Sequence, residues 1–294
     1  MQGIVVAPVT PMNHDLSIDL GGLGELIRFL VSSGVDGFTA CAVTAETETL
    51  SVDEHKAVLQ RVVEAAEHRV PVYCGIGRAS ILETRELVPL VDEIGGDGLF
   101  VITPYASAYS LDEACAYLRD LAARTELPLM LYNCPGYSGV ALSPERVAQL
   151  GTIANIVAIK EGNQSQLRDD LALASDLAFD VFTARDSFLL ESRDAGASGV
   201  ISFAANVAPA LLVALDRAWR EGREADAKTL NLRVAALVEV LVRRSYPVFI
   251  KAAMNEMGLP AGPCRRIEVG LSNEERRALR GGIEAARGVL GSSR

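Results

Sequence analysis

Eight short apolar runs, each followed by a longer amphipathic segment, set the tightest limit on how this 294-residue chain can fold. The runs are IVVAPV (4–9), GFTACAV (37–43), VPVYCGI (70–76), GLFVIT (98–103), LPLMLYN (127–133), IVAIKE (156–161), FDVFTA (179–184) and GVISFA (199–204). Strands that alternate with helices pair in parallel through right-handed crossovers. Eight such units at this length predict an α/β fold closed as a (β/α)₈ TIM barrel. A doubly wound open sheet is the alternative.

The helical segments carry start signals. Ser51 with Glu54, Ser80 with Glu83 and Ser110 with Glu113 each have the spacing of a capping box. Ser143 followed by Pro144 places a cap before a proline at the first helical position. Beyond residue 205 the pattern becomes wholly helical, over 208–221, 224–243, 246–257 and 273–288, the last opened by a box from Ser272 to Glu275. The first of these closes the barrel. The expected organisation is therefore a barrel over 1–222 and a C-terminal helical extension over 223–294, packed on it.

Composition narrows the function classes. The hydrophobic fraction is 49% but aromatics make up only 5%, so aliphatic side chains must fill the core. The formal net charge of −10, without a basic stripe, argues against nucleic-acid binding. No apolar run reaches the roughly 18 residues that a membrane span needs. The start MQGIVVAPVTPMNHDL has no basic segment ahead of a long apolar one, so no signal peptide is expected. The five cysteines are odd in number and scattered, which fits free thiols in a reducing cytosol. His14, His55 and His68 lack metal-ligand spacing, and His55 and His68 are expected on solvated helix faces.

In a barrel of this kind the chemistry sits where the strands end and in the loops that follow. Those ends carry Val43-Thr44-Ala45-Glu46, Thr103-Pro104-Tyr105, Tyr132-Asn133, Lys160-Glu161, Arg185-Asp186 and Ser202. Lys160 stands out, because four of the five residues before it are apolar. Burial lowers a lysine's pKa toward the range in which the amine is neutral and nucleophilic. A common use of such an amine is an imine with a carbonyl substrate. The competing reading is a structural ion pair, with Glu161 or another strand-end carboxylate. Tyr132 ends the preceding strand, and neighbouring strands lie about 4.8 Å apart. Its phenol could give and recover the proton that imine formation needs at the carbonyl oxygen. Thr44, in a strand-to-helix turn, offers a hydroxyl and nearby amides to an anion.

These residues, with GIVVAPVTPM, TAETETLS, ITPY, LMLYNCPG, VAIKEGN, GASGVISFAANVAP and VFIKAAMNEMGLPAGPCRRIEVGLS, resemble the dihydrodipicolinate synthase and N-acetylneuraminate lyase family of class I aldolases. The resemblance covers nearly the whole chain. It implies that Lys160 forms a Schiff base with pyruvate or another 2-keto acid and that Tyr132 shuttles protons. It also implies that Thr44 and its neighbouring amides hold the keto-acid carboxylate, with the backbone at Ile201 lining the same site. No metal or organic cofactor is implied, since the covalent lysine imine serves instead. The partners implied are a small 2-keto acid, an aldehyde and further copies of the chain, as a dimer of dimers or a dimer.

Four departures bear on the second substrate. The family's turn usually opens Gly-Thr-Thr-Gly or Gly-Ser-Thr-Gly, whereas this chain has Ala42-Val43-Thr44-Ala45. In the synthases the missing hydroxyl belongs to a proton relay with a tyrosine that follows Pro-Tyr, and Ala106 stands there instead. Tyr109 lies three residues on and is a candidate replacement. Tyr137 occupies the position of an arginine that binds the aldehyde's carboxylate in the synthases. The synthases' Gly-Asp-Asp is Ala184-Arg185-Asp186, which places Arg185 near the second substrate unless Asp186 or Glu191 holds it at the rim. The expectation is a class I 2-keto acid lyase, cleaving carbon–carbon or carbon–oxygen bonds, other than the lysine-pathway synthase. A synthase with an altered relay and a barrel that binds a keto acid without turnover are the alternatives.

Overall fold

A computed structural model describes residues 1–175, 177–266 and 269–287. Residues 288–294 of the expected extension, and Ile267-Glu268 of the tail motif, lie outside the described residues. Eight strands form one closed parallel barrel in sequence order, with β1 paired to β8. They are β1 (Gly3–Val6), β2 (Gly37–Ala40), β3 (Val72–Gly75), β4 (Gly98–Ile102), β5 (Leu129–Asn133), β6 (Ile156–Glu161), β7 (Asp180–Thr183) and β8 (Gly199–Ser202).

Every expected strand is present, and prolines explain where several are shorter than their apolar run. A proline cannot donate to a ladder. Thus β1 stops ahead of Pro8, while β3 and β5 begin after Pro71 and Pro128. The β1–β8 seam needs glycine, because a Cβ on Gly199 would lie 2.0 Å from the carbonyl oxygen of Gly3.

The helices of the barrel are α1 (Leu20–Ser32), α2 (Val52–Ala66), α3 (Ile81–Glu93), α4 (Leu111–Ala122), the short α5 (Pro135–Ser138), α6 (Pro144–Gly151), α7 (Leu167–Ala174), α8 (Leu189–Asp194) and α9 (Pro209–Arg220). Reciprocal capping boxes start α2 and α4. The start of α3 is only half a box: Ser80 accepts from the Glu83 amide, but the Glu83 carboxylate pairs with Arg78 at 3.1 Å. A guanidinium within reach is a stronger partner than a backbone amide. After the barrel come α10 (Glu224–Leu241), α11 (Val248–Glu256) and α12 (Asn273–Arg287), with α10 lying against α9, α12 and the turn at 186–188. No helix among the described residues is long and apolar enough to cross a membrane.

Alternation along the strands divides the core. Ile4, Val6, Leu99, Val101, Leu131, Ile159 and Val200 belong to the large cluster shared with the helices. Val5, Tyr73, Phe100, Met130, Tyr132, Ala158, Phe182 and Ile201 fill the barrel interior. Interior positions on adjacent strands share a level, so Tyr132 stands directly opposite Lys160, and Lys160 opposite Phe182.

Candidate active site

The turn after β2 is built for rigidity. Ala42 is extended at φ −78°, a conformation that a methyl group tolerates, so its glycine-free sequence costs nothing there. Val43–Ala45 form one turn of 3₁₀ helix, and Glu46 follows in the left-handed region at φ 56°. Thr10 donates to the Ala45 carbonyl, Thr47 to that of Ala42 and Thr49 to that of Glu46. The turn's own hydrogen bonds begin at the Ala45 amide, which leaves the amides of Val43 and Thr44 ahead of them. Thr44 itself is buried.

Glu46 anchors the turn from below. Its carboxylate lies 2.6 Å from the Lys251 ammonium and accepts from the Arg265 amide at 2.8 Å, while Lys251 also donates to the Pro263 carbonyl at 2.9 Å. Both side chains are buried, and losing one partner of such a pair typically costs about 3–5 kcal/mol. Sequence reasoning did not assign Glu46 or Lys251 a role. The available signal was a lysine inside the apolar run VFIKAAM.

Lys160 contrasts with Lys251. It is equally buried, yet among the described residues it has no ion pair and no hydrogen bond. Its amine lies 4.2 Å from the centroid of the Tyr132 ring and 5.8 Å from that of Phe100, and the two rings stack at 5.3 Å. Burial lowers its pKa from 10.5 to about 8, against a smaller opposing pull from Cys134 and Asp186. At pH 7 about one amine in ten is then neutral, against roughly three in ten thousand at the unperturbed value. Ring faces attract the ammonium only modestly, so they do not undo desolvation.

The ion pair with Glu161 is not formed. Alternation sends Glu161 to the other side of the strand, where its carboxyl accepts from Asn133 Nδ2 at 2.8 Å and from the Asn163 amide. Burial, with the Asp170 carboxyl beside it, pushes Glu161 well above the usual carboxylate range. Asp186 is also buried, accepting from the Ser202 hydroxyl and from the Phe203 amide at 3.4 Å, and burial raises it to about 6.

Above the barrel two cavities meet at Tyr132. A small one, about 20 Å³, is lined by Ala42, Val43, Thr47, Tyr105, Tyr132 and Tyr137. A larger one, about 500 Å³, is lined by Tyr132, Cys134, Arg185, Phe203, Glu239 and Tyr246 among others. That volume suits a small-molecule site. Its roof comes from α10 and the segment after it, which sequence reasoning left out of the site. Glu239, Val242 and Tyr246 carry no local motif, and only the packing of α10 over the β7 turn brings them there.

The predicted residues are thus distributed unevenly. Tyr132 and Lys160 face each other. Tyr137 lines the small cavity, tilted against Tyr105 with ring centroids 5.4 Å apart. Arg185 lines the large cavity and is exposed. It makes neither proposed rim ion pair, because Asp186 turns inward to Ser202 while Glu191 pairs with Arg168. Ile201 sits in the interior core, and neither it nor Thr44 is among the side chains lining the two cavities. Tyr109 lies in a separate groove with Arg85, Tyr117 and Asp120, away from Tyr132 in this protomer. Ala106 is exposed with φ 71°.

One histidine expectation is overturned. His55 is fully buried and its Nε2 donates to the Gly75 carbonyl at 2.7 Å. Burial lowers its pKa to about 4, so the ring is neutral. The signal was readable, because His55 shares one helical stripe with the buried Val58, Leu59, Val62 and Val63 of α2. His68 is exposed, but in the turn after α2 rather than on the helix.

Comparison with known proteins identifies the family. Residues 1–286 match the dihydrodipicolinate synthetase family. A 4-hydroxy-tetrahydrodipicolinate synthase of Methanothrix thermoacetophila is 35% identical over 95% of both chains. The one of Methanosphaerula palustris is 38% identical over 90% of this chain and 92% of the other. Among solved structures, the chloride-inhibited dihydrodipicolinate synthase of Acinetobacter baumannii in complex with pyruvate is 33% identical, with a TM-score of 0.90 over 97% of this chain and 98% of that one. The dihydrodipicolinate synthase of Aquifex aeolicus is 30% identical, with a TM-score of 0.91 over 97% of both.

Proposed function

Since the chain belongs to the dihydrodipicolinate synthetase family, a family of class I lyases, we propose that it acts on pyruvate or a related 2-keto acid through an imine on Lys160. The observation that carries this reading is the buried amine of Lys160, without an ion-pair partner among the described residues, set against the Tyr132 ring. The neutral amine adds to the keto carbon. Tyr132 gives a proton to the departing oxygen, and water leaves from the carbinolamine. The protonated imine then draws electrons from the neighbouring carbon, which loses a proton and becomes an enamine nucleophile. Thr44, with the amides of Val43 and Thr44, receives the substrate carboxylate, and the backbone at Ile201 lines the same place.

The second substrate occupies the large cavity. Arg185, exposed on its wall and without an ion pair among the described residues, is suited to a distal carboxylate or hydroxyl groups on that substrate. The synthases' two relay hydroxyls and carboxylate-binding arginine are replaced by Val43, Ala106 and Tyr137. We therefore read the enzyme as a lyase with a second substrate other than that of the lysine-pathway synthase. The second reading, synthase activity with an altered relay, is favoured by the names of its relatives.

A turnover assay decides between them. Pyruvate with aspartate semialdehyde should give little or no product in a reductase-coupled assay, while a panel of other aldehydes and hydroxylated keto acids should contain a good substrate. Robust synthase turnover would promote the second reading. With the good substrate in hand, Arg185→Ala should raise KM for it and leave imine formation with bare pyruvate unchanged. Equal handling of every long substrate by mutant and wild type would remove Arg185 from specificity.

A further inference from the structure

We propose that the buried pair of Glu46 and Lys251 positions the turn that receives the substrate carboxylate, so that α11 and the segment after it set the affinity for the keto acid. This rests on the reading above, in which Thr44 and the amides of Val43 and Thr44 hold that carboxylate.

The backbone supplies the first observation. Glu46 joins two successive turns of 3₁₀ helix, Val43–Ala45 and Thr47–Thr49, and does so in the left-handed region at φ 56° and ψ 37°. Glycine adopts that conformation freely, whereas a residue with a Cβ is disfavoured there. Such strain persists only where the surroundings hold it, and it gathers at functional sites. A glutamate in a glycine's conformation points to a task for its carboxylate.

What the carboxylate holds is the second observation. Its Oε1 lies 2.6 Å from Lys251 Nζ, and both residues are buried. Its Oε2 accepts from the Arg265 amide at 2.8 Å and from the Arg266 amide at 3.3 Å. Lys251, on α11, also donates to the Pro263 carbonyl at 2.9 Å. From the same segment the Arg265 guanidinium donates to the Thr49 carbonyl at 3.2 Å and pairs with Glu54 of α2 at 2.8 Å. The far end of the chain thus grips the turn at Glu46 and at Thr49.

The grip reaches the carboxylate site through a few bonds. The Glu46 amide donates to the Val43 carbonyl at 3.2 Å, and the Thr47 hydroxyl donates to the Ala42 carbonyl at 3.0 Å. A peptide group is planar, so the Val43 carbonyl moves with the Thr44 amide, and the Ala42 carbonyl with the Val43 amide. A shift at Glu46 therefore tilts both N–H groups that face the substrate, and hydrogen bonds weaken steeply with angle. Among the described residues neither Glu46 nor Lys251 is bonded to Lys160 or Tyr132. The pair consequently acts on binding and not on the chemical step. Glu46 and Lys251 are positioning residues.

The test follows imine formation with pyruvate by borohydride trapping on the full chain, over a range of pyruvate concentrations and pH. Lys251→Met should raise the half-saturating pyruvate concentration on the order of tenfold, as misplaced binding groups do. The limiting trapping rate and the pH at which it levels off should stay at the wild-type values. The double variant Glu46→Gln with Lys251→Met leaves no unpaired buried charge, which is the chief threat to folding in the single variant. It should bind pyruvate as weakly as Lys251→Met. A pair that only stabilised the fold would lower the melting temperature and leave the half-saturating concentration where it was. That result in the double variant would overturn the positioning role, as would a fall confined to the limiting rate. Wild-type protein that traps no pyruvate would overturn the imine reading itself and this inference with it.

Discussion

Lys160→Ala is expected to abolish covalent capture of pyruvate. Wild-type protein incubated with pyruvate and borohydride should gain one reduced pyruvyl group per chain, on the peptide that contains NIVAIKEG. The mutant should gain none and should keep its fold, because the alanine removes a buried amine that makes no hydrogen bond or ion pair among the described residues. Lys251 provides the internal control. It is buried too, but it is engaged by the Glu46 carboxylate at 2.6 Å and by the Pro263 carbonyl at 2.9 Å, so it is not free to attack a carbonyl. Labelling at Lys251, or none with any 2-keto acid, would end the aldolase reading. The pH dependence follows from burial. Lys160 has its pKa lowered to about 8, so the neutral fraction, and with it the trapping rate, should rise as pH increases through about 8 and then level off. An ordinary lysine would keep rising toward 10.5.

The second large effect is expected at Tyr132. Removing a positioned acid–base group typically lowers the rate by ~10²–10⁴-fold. Tyr132→Phe keeps the ring that packs against Phe100 and under the Lys160 amine, so pyruvate binding should survive while imine formation slows on that scale. Burial raises the phenol's pKa well above 10, so it is protonated through neutral pH and ready to donate. A near-normal rate in stopped-flow or quenched trapping would mean that another hydroxyl carries the proton. Tyr246, whose side chain lines the same large cavity, would then be the next residue to change. Tyr109 would not, because it lies in a different groove of the protomer.

The barrel and its central pair were legible in the sequence because their signals are local. Each strand is a short apolar run, α2, α3, α4 and α6 announce themselves with a serine cap, and parallel neighbours in sequence are neighbours in space. Once β5 and β6 adjoin, Tyr132 and Lys160 must share a level. His55 shows a local signal passed over: its helical stripe was apolar, and a neutral imidazole with one strong acceptor can join it.

Only the tertiary structure decided what surrounds that pair. Whether Lys160 would find a carboxylate depended on the side of the strand to which Glu161 turned, and on Asp186 being claimed by Ser202. Glu46 and Lys251 belong to opposite ends of the chain, yet they form one buried ion pair beneath the turn that carries Thr44. The large cavity exists because α10 packs on the turn at 186–188, so that Glu239 and, after the helix, Tyr246 line it together with Cys134 and Arg185. Pairings of this kind follow from chain closure over long separations. Periodicity and capping act within a few residues and carry no information about which distant side chain will reach a given strand end.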